Sequence, residues 1–257
     1  MIKDLWLIGI GTGSLKHVTL EGMEAIGKAS MILVPDKGPG KEDLVALRRQ
    51  IIEQAGFDGR IVRFDYPVRD TAHPYLERVE RWHDEIARCW QNAVGNAGAD
   101  GPVALLVWGD PSLYDSTIRI AERLNPQPRV RVVPGITALQ ALTAAHGIPL
   151  NEVAGSVQIM TGRRLRESGW PEGAETVAVM LDGEASFTRL RKPDLYIWWG
   201  AYLGSPDEMI LKGKIVDVGS EIVRIRQEAR SAHGWMMDTY IIKKDASLQT
   251  IGSQDAR

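Results

Sequence analysis

The sequence predicts an α/β fold resting on a largely parallel sheet covered on both faces. Three observations predict it. Short apolar runs bounded by glycine or proline recur along the chain, as buried strands do. Between them lie segments with apolar residues three and four apart, as amphipathic helices have. This alternation needs crossover helices, hence parallel pairing. At 257 residues and roughly 150 residues per domain, the chain has room for about two domains.

The elements follow in order. Leu5–Ile8, closed by Gly9, is a buried strand. Thr19 to Lys28 reads as a helix with Thr19 as N-cap and Glu21 in its first turn. Met31 to Val34 is a second strand, ended by Pro35. Lys41 to Gln54 aligns Leu44, Leu47 and Ile51 on one helical face, and Ile61 to Phe64 is a strand. Tyr75 to Asn96 is the longest helical pattern, with Leu76, Val79, His83, Ile86 and Trp90 along one side. Val103 to Trp108 is the clearest core strand, Ser116 to Leu124 a helix and Val130 to Val133 a strand. Pro134-Gly135 interrupts the pattern, and a domain boundary is expected there, giving domains 1–133 and 134–257. Beyond it, Ala138 to His146 is helical. Strands are expected at Val157–Thr161, Thr176–Leu181, Leu195–Trp199 and Trp235–Lys243. Val216 to Arg230 reads as a helix despite Gly219, and the tail after Lys244 is polar.

Composition narrows the function. Hydrophobic residues are 44% and charged residues 25%, which excludes a disordered scaffold. The 31 basic and 33 acidic residues leave a net charge of -2; this argues against a nucleic-acid partner but leaves a local basic patch open. The single cysteine, Cys89, allows neither an internal disulfide nor a multi-thiolate metal site, and points to a reducing cytoplasm. The longest apolar run, Val103 to Trp108, falls far short of the roughly 18 residues of a membrane span. No signal-peptide pattern is seen.

Three loops carry the chemical signal, and each follows a strand. Gly9-Ile10-Gly11-Thr12-Gly13 would let backbone approach a ligand, although a tight turn has the same residues. It lacks the sixth-position glycine of the dinucleotide fingerprint, where Ser14 stands. Trp108-Gly109-Asp110-Pro111 pairs a glycine with a hydrogen-bonding carboxylate, and Asp-Pro also opens ordinary turns. Val133-Pro134-Gly135-Ile136-Thr137-Ala138 is a third loop or a hinge. Their shared placement suggests one small-molecule crevice. Gly22 to Lys28 has P-loop spacing, but Ala29 replaces the metal-binding hydroxyl and the segment is helical. Arg163, Arg164 and Arg166 follow a strand end and suit an anionic ligand. Arg189, Arg191 and Lys192, and then Arg224, Arg226 and Arg230, read as solvated faces. The histidines, His17, His73, His83, His146 and His233, form no metal motif, and no nucleophile elbow occurs. Trp198-Trp199 fits either ligand stacking or core packing. The residues reach an α/β enzyme with a nucleotide-like ligand, but not a reaction.

Taken together, the loops resemble those of the tetrapyrrole methylases over nearly the whole chain. Leu7 to Gly13, followed by His17-Val18-Thr19-Leu20, is similar to the family's Gly-x-Gly-Pro-Gly loop and helix start, with Thr12 in place of proline. Gly109-Asp110-Pro111, Pro134-Gly135-Ile136-Thr137-Ala138, Met180 and Pro206-Asp207-Glu208 match further family segments. The resemblance implies two αβα domains with S-adenosylmethionine in the crevice between them, S-adenosylhomocysteine as product, and a homodimer. The stretches Trp108–Thr117, Ile159–Leu165, Ile197–Glu208 and Ala232–Tyr240 resemble the family's deacetylating branch. That implies methylation at C-1 of precorrin-5, with loss of acetate, to give precorrin-6A. The alternatives are another methyltransferase of this fold acting on a different precorrin, RNA or protein, or a non-catalytic ligand binder or nicotinamide oxidoreductase. Residue by residue, the resemblance assigns Gly11, Thr12, Gly13, Trp108, Gly109, Asp110, Leu113, Thr137, Ala138, Met180 and Leu203 to the methyl donor. Asp110, His17 and Glu21 are candidate bases for deacetylation. Arg163, Arg164 and Arg166 are candidates for the substrate carboxylates. No metal is expected.

Overall fold

The computed structural model describes residues 1–36, 42–68, 74–190, 192–234 and 236–244, without the side chains of residues 42–44 and 75. His73, Arg191, Trp235 and the tail after Lys244 lie outside the described residues. The chain divides into two compact units, Met1–Thr137 and Ala138–Arg257.

The first unit runs β1 (Asp4–Gly9), α1 (Leu20–Lys28), β2 (Met31–Asp36), α2 (Glu42–Gln54), β3 (Arg60–Asp65), α3 (Tyr75–Ala97), β4 (Val103–Val107), α4 (Thr117–Ala121) and β5 (Arg129–Val133). Its sheet has the order β3-β2-β4-β1-β5, and every pairing is parallel. Strand period two sends alternate side chains to opposite faces. Leu5, Leu7, Val103, Leu105 and Val107 join one cluster with Ile86 and Trp90 of α3 and Ile120 of α4. Ile8, Ala104 and Leu106 join another with Ala25 and Ile26 of α1 and Ile51 of α2. All five residues of β4 are buried, as a central strand covered on both sides must be.

The second unit runs α5 (Ala138–His146), β6 (Val157–Thr161), α6 (Gly162–Ser168), β7 (Thr176–Met180), β8 (Leu195–Ala201), β9 (Met209–Lys214), α7 (Ile215–His233) and β10 (Asp238–Lys244). Its sheet, β6-β7-β10-β8-β9, is mixed: only β6 and β7 pair in parallel. Val177, Val179, Ile197, Trp199, Tyr240 and Ile242 face the core shared with α6 and α7. Leu142 of α5 lies against Gly200 of β8, and His146 bonds to the Trp199 carbonyl at 3.0 Å.

Several expectations change. The largely parallel sheet holds only in the first unit; a strand-to-strand return from β8 to β9 sets antiparallel pairing in the second. β2 does not stop at Pro35, because pairing with β4 ends at Leu33 and only the β3 side continues, where a missing N–H is tolerated. Leu76 is exposed rather than on the buried side of α3. The helix from Ser116 is regular only to Ala121. α6 and β9 were not expected. Trp199 is fully buried, which gives core packing as its role. Thr19 caps α1 as read, accepting from the Gly22 N–H at 3.0 Å.

The two glycines Gly9 and Gly135 are packing requirements. A Cβ on Gly135 would stand 2.2 Å from the Gly109 carbonyl oxygen, and one on Gly9 would stand 2.6 Å from the Gly135 nitrogen. Backbone cannot yield as a flexible side chain can. Gly135→Ala should therefore lower unfolding free energy by roughly 3 kcal/mol or more. Gly95→Ala, on an exposed turn of α3 with open space around it, should raise it by about 0.5–1 kcal/mol. Denaturant melts of both variants check the pair; a Gly135→Ala protein as stable as wild type contradicts the packing argument.

Candidate active site

The connections of the first sheet create a topological switch point. From β1 the chain leaves toward β2, beyond β4; from β4 it leaves toward β5, beyond β1. The two departures run in opposite directions, so the carboxyl ends of β1 and β4 flank a topological switch point. At that point the two loops are joined by backbone. Gly109 N donates to Gly11 O at 2.8 Å, and Gly11 N to Gly109 O at 3.2 Å. Both glycines have positive φ, +75° and +66°, where other residues pay steric strain. Gly109 has only the Ile136 carbonyl oxygen, 4.0 Å away, near the place of a Cβ. The place of its missing side chain is open.

Asp110 ties the β4 loop to the β5 loop. Its Oδ2 accepts from Gly135 N at 2.8 Å, and its Oδ1 accepts from Ser112 N at 2.8 Å and from the Ser112 hydroxyl. Burial pushes this carboxyl up, but the bonds from Ser112 and Gly135 outweigh it, and the pKa lies below the ordinary 3.8. His17 stands on the glycine loop, its Nδ1 3.0 Å from Thr12 Oγ1. A Cβ on Gly11 would meet the His17 Cβ at 2.3 Å.

The structure thus brings Gly11, Thr12, Gly13, His17, Gly109 and Asp110 together, with Leu113 in the adjoining turn and Thr137 just past the third loop. Trp108 is different. By strand alternation its ring goes into the α1/α2 layer. Glu21 is exposed and paired with Arg131 of β5 at 2.9 Å, apart from these loops.

In the second unit Ala138 opens α5, Met180 ends β7 and Leu203 follows β8. Leu113, Met180 and Leu203 each neighbour a non-glycine residue of positive φ: Tyr114 (50°), Leu181 (53°) and Tyr202 (49°). Such strain costs about 1–3 kcal/mol a residue and gathers at functional loops. Asp182 anchors the Met180–Leu181 turn: it accepts from Ser186 N at 2.6 Å, Ser186 Oγ at 2.8 Å and Tyr240 OH at 2.6 Å. Arg166 joins this cluster through Ser186 Oγ at 3.3 Å and Glu184 at 3.2 Å. Arg163 and Arg164 are exposed on α6, and Arg163 reaches Glu167 only at 4.0 Å. Arg224, Arg226 and Arg230 are spent on Glu221, Glu228, Asp238 and the Gly183 carbonyl. No cluster of metal-binding side chains occurs among the described residues.

Two buried arginines depart from the sequence reading: Arg48 was not singled out, and Arg226, read as part of a solvated face, is buried. Arg48 shares the apolar face of α2 with Ile51, and Arg226 shares that of α7 with Ile222 and Ala229. A charge at core spacing is the signal that could have found both.

A family model for Tetrapyrrole (Corrin/Porphyrin) Methylases matches residues 4–219. The chain belongs to the tetrapyrrole methylases. It is 44% identical to a precorrin-6A synthase [deacetylating] of Sinorhizobium sp over 255 residues, 96% of this chain and 97% of that one. Among solved structures, a cobalamin synthesis related protein (CobF) of Corynebacterium diphtheriae is 37% identical with a TM-score of 0.81, covering 95% of this chain and 99% of that one. A uroporphyrin-III C-methyltransferase of Thermus thermophilus, solved with S-adenosyl homocysteine, shares the fold at 17% identity and TM-score 0.61, covering 95% and 99%. In this methylase the switch-point loops and their Asp110 tie occupy the first unit's strand ends.

The Asp110 tie should be visible in acid. A carboxyl with a lowered folded pKa stabilises the fold above the ordinary range and loses that stabilisation as pH falls through it. The stability difference between wild type and Asp110→Asn should be constant above about pH 5 and shrink as pH falls below it. Chemical denaturation at a series of pH values measures this; a pH-independent difference contradicts it.

Proposed function

We propose that this chain transfers a methyl group from S-adenosylmethionine to C-1 of precorrin-5 and releases acetate, giving precorrin-6A and S-adenosylhomocysteine in cobalamin synthesis. The near end-to-end likeness to the deacetylating enzyme of Sinorhizobium carries the reading. The open space on the side-chain side of Gly109, beside the switch point, supports a donor lying there. Gly11, Thr12, Gly13, Gly109 and Leu113 would hold it from the first unit, Trp108 through its backbone alone. Met180 and Leu203 are the contacts proposed in the second. When bound, the donor supplies an electrophilic methyl on a sulfonium. The protein's part is positioning at about 3–3.5 Å and excluding water, which bare glycine loops and strained, fixed turns serve.

Acetate release needs a base. Water adds to the acetyl carbonyl and gives a proton to the base. The carbon–carbon bond to the ring then breaks, its electron pair passing into the conjugated ring, and the acetyl group departs as acetate with loss of its remaining acidic proton. Both Asp110 oxygens accept backbone or hydroxyl hydrogen bonds, and Glu21 is held by Arg131. His17, on the glycine loop beside Thr12, is the imidazole among the three candidates, the side chain most often used as a general base. Asp110 then serves as a positioning residue. Arg163 and Arg164 are proposed for the substrate carboxylates, with Arg166 as their support through Ser186. The same reading takes the enzyme as a cytoplasmic homodimer; the family resemblance supports the second and the lone cysteine the first. No helix among the described residues is long and apolar enough to cross a membrane.

Incubation with precorrin-5 and S-adenosylmethionine should yield acetate and the methylated product in equal amounts, scored by mass. Methylation without acetate would leave the family standing and refute this member's reaction. Calorimetry should detect S-adenosylhomocysteine and no NAD. His17→Ala should slow acetate release by roughly a hundredfold or more while still binding S-adenosylhomocysteine. Unchanged release removes His17 as the base.

A further inference from the structure

Arg48 is only 8% exposed. Its Nε is buried with no hydrogen-bond partner. Its guanidinium carbon lies 5.5 Å from the centre of the Trp108 ring, and no described carboxylate pairs with it. A buried charge without a counter-charge is costly. A frame arginine of this chain, Arg226, is paired with Asp238 and the Asp182 carbonyl. Among the described residues Arg48 has an aromatic face and no anionic partner.

Its neighbours show where it stands. Trp108 follows β4 directly, and Tyr66 follows β3. Tyr66 is the group that opposes the burial effect on Arg48, and burial and Asp115 push the Tyr66 hydroxyl up to about 12. That hydroxyl stays neutral, so it cannot neutralise the arginine. Arg48 therefore sits at the carboxyl ends of the sheet, the side on which open α/β sheets take ligands. A planar guanidinium packed on an indole keeps one orientation and presents its fork bidentately.

We infer that Arg48, stacked on Trp108 beside Tyr66, is a binding site for a carboxylate of the ligand, one acidic side arm of the tetrapyrrole. This rests on the proposed function for the identity of the ligand, and it adds a first-unit anchor to the arginines of α6. The anion would supply the charge partner that the chain leaves out.

The test compares wild type, Arg48→Met and Arg48→Lys, varying precorrin-5 and S-adenosylmethionine separately. Arg48→Met should raise KM for precorrin-5 roughly tenfold or more, the effect of losing a hydrogen-bonded charge. Affinity for S-adenosylhomocysteine, read by calorimetry, should stay within about twofold. Arg48→Lys keeps the charge without the fork and should fall between. An unchanged KM in a folded Arg48→Met protein overturns the proposal, and so does an equal loss of S-adenosylhomocysteine affinity. If Arg48→Met does not fold, Arg48→Lys decides, an unchanged KM overturning it. Wild type that fails to turn over precorrin-5 sinks the proposed function instead. Fluorescence titration with uroporphyrin, a stable polycarboxylate tetrapyrrole, then decides Arg48: weaker binding by the variants supports the site, and equal binding overturns it.

Discussion

The first unit depends on one close approach, that of Gly9, Gly109 and Gly135 within van der Waals contact of each other's backbone. Three strand-end loops can meet there only because no Cβ intervenes. Bringing bare peptide groups together strands their hydrogen-bonding atoms, and the Asp110 carboxylate answers this by taking the Gly135 N–H while the Gly11–Gly109 bridge takes two more. One acidic side chain thus fixes the loops at the switch point. Backbone bonds anchored to a carboxylate join these loops.

The second unit solves a similar problem with a different chemistry. Its β7 loop has no run of glycines. Leu181 adopts a left-handed conformation instead, and Asp182 holds the turn by accepting from Ser186 and Tyr240. Gly162 makes room for that carboxylate, since a Cβ there would lie 2.3 Å from it. In each unit an aspartate just past a strand end organises the loop. In the first the residue before the aspartate with positive φ is Gly109; in the second it is Leu181.

Much of this was legible in the residues. The strands of the first unit were clear because both faces of a parallel sheet are buried, so β1, β2 and β4 read as unbroken apolar runs. The glycine and Gly109-Asp110-Pro111 loops were found from their position after strands. What composition could not carry was orientation. Trp108 was assigned to the donor by its motif; strand alternation aims its ring into the helix layer, so register leaves only its backbone for that role, which a motif match does not show. α6 was missed because the run Arg163 to Ser168 offers a single buried apolar side chain, Leu165. β9 was missed because Met209 to Lys214 lies at a half-exposed edge. Glu21 drew notice as a first-turn acid, but its partner Arg131 is more than a hundred residues away in sequence, and such pairs are invisible to local patterns.

The two buried arginines separate what holds the fold from what serves the ligand. Both sit at core spacing on a helix, and sequence alone treats them alike. Arg226 is surrounded by answers to its charge: the Asp238 carboxylate, which also accepts from Trp199 at 2.8 Å, and the Asp182 carbonyl at 2.6 Å. Removing any one partner would strand the rest, which is the behaviour of a structural network. Among the described residues Arg48 has the face of Trp108 and no carboxylate; such a face is worth about 0.5–2 kcal/mol, less than the desolvation of a guanidinium. Folding by itself gives no reason to bury Arg48 there. A ligand that brings its own negative charge to the carboxyl edge of the sheet does.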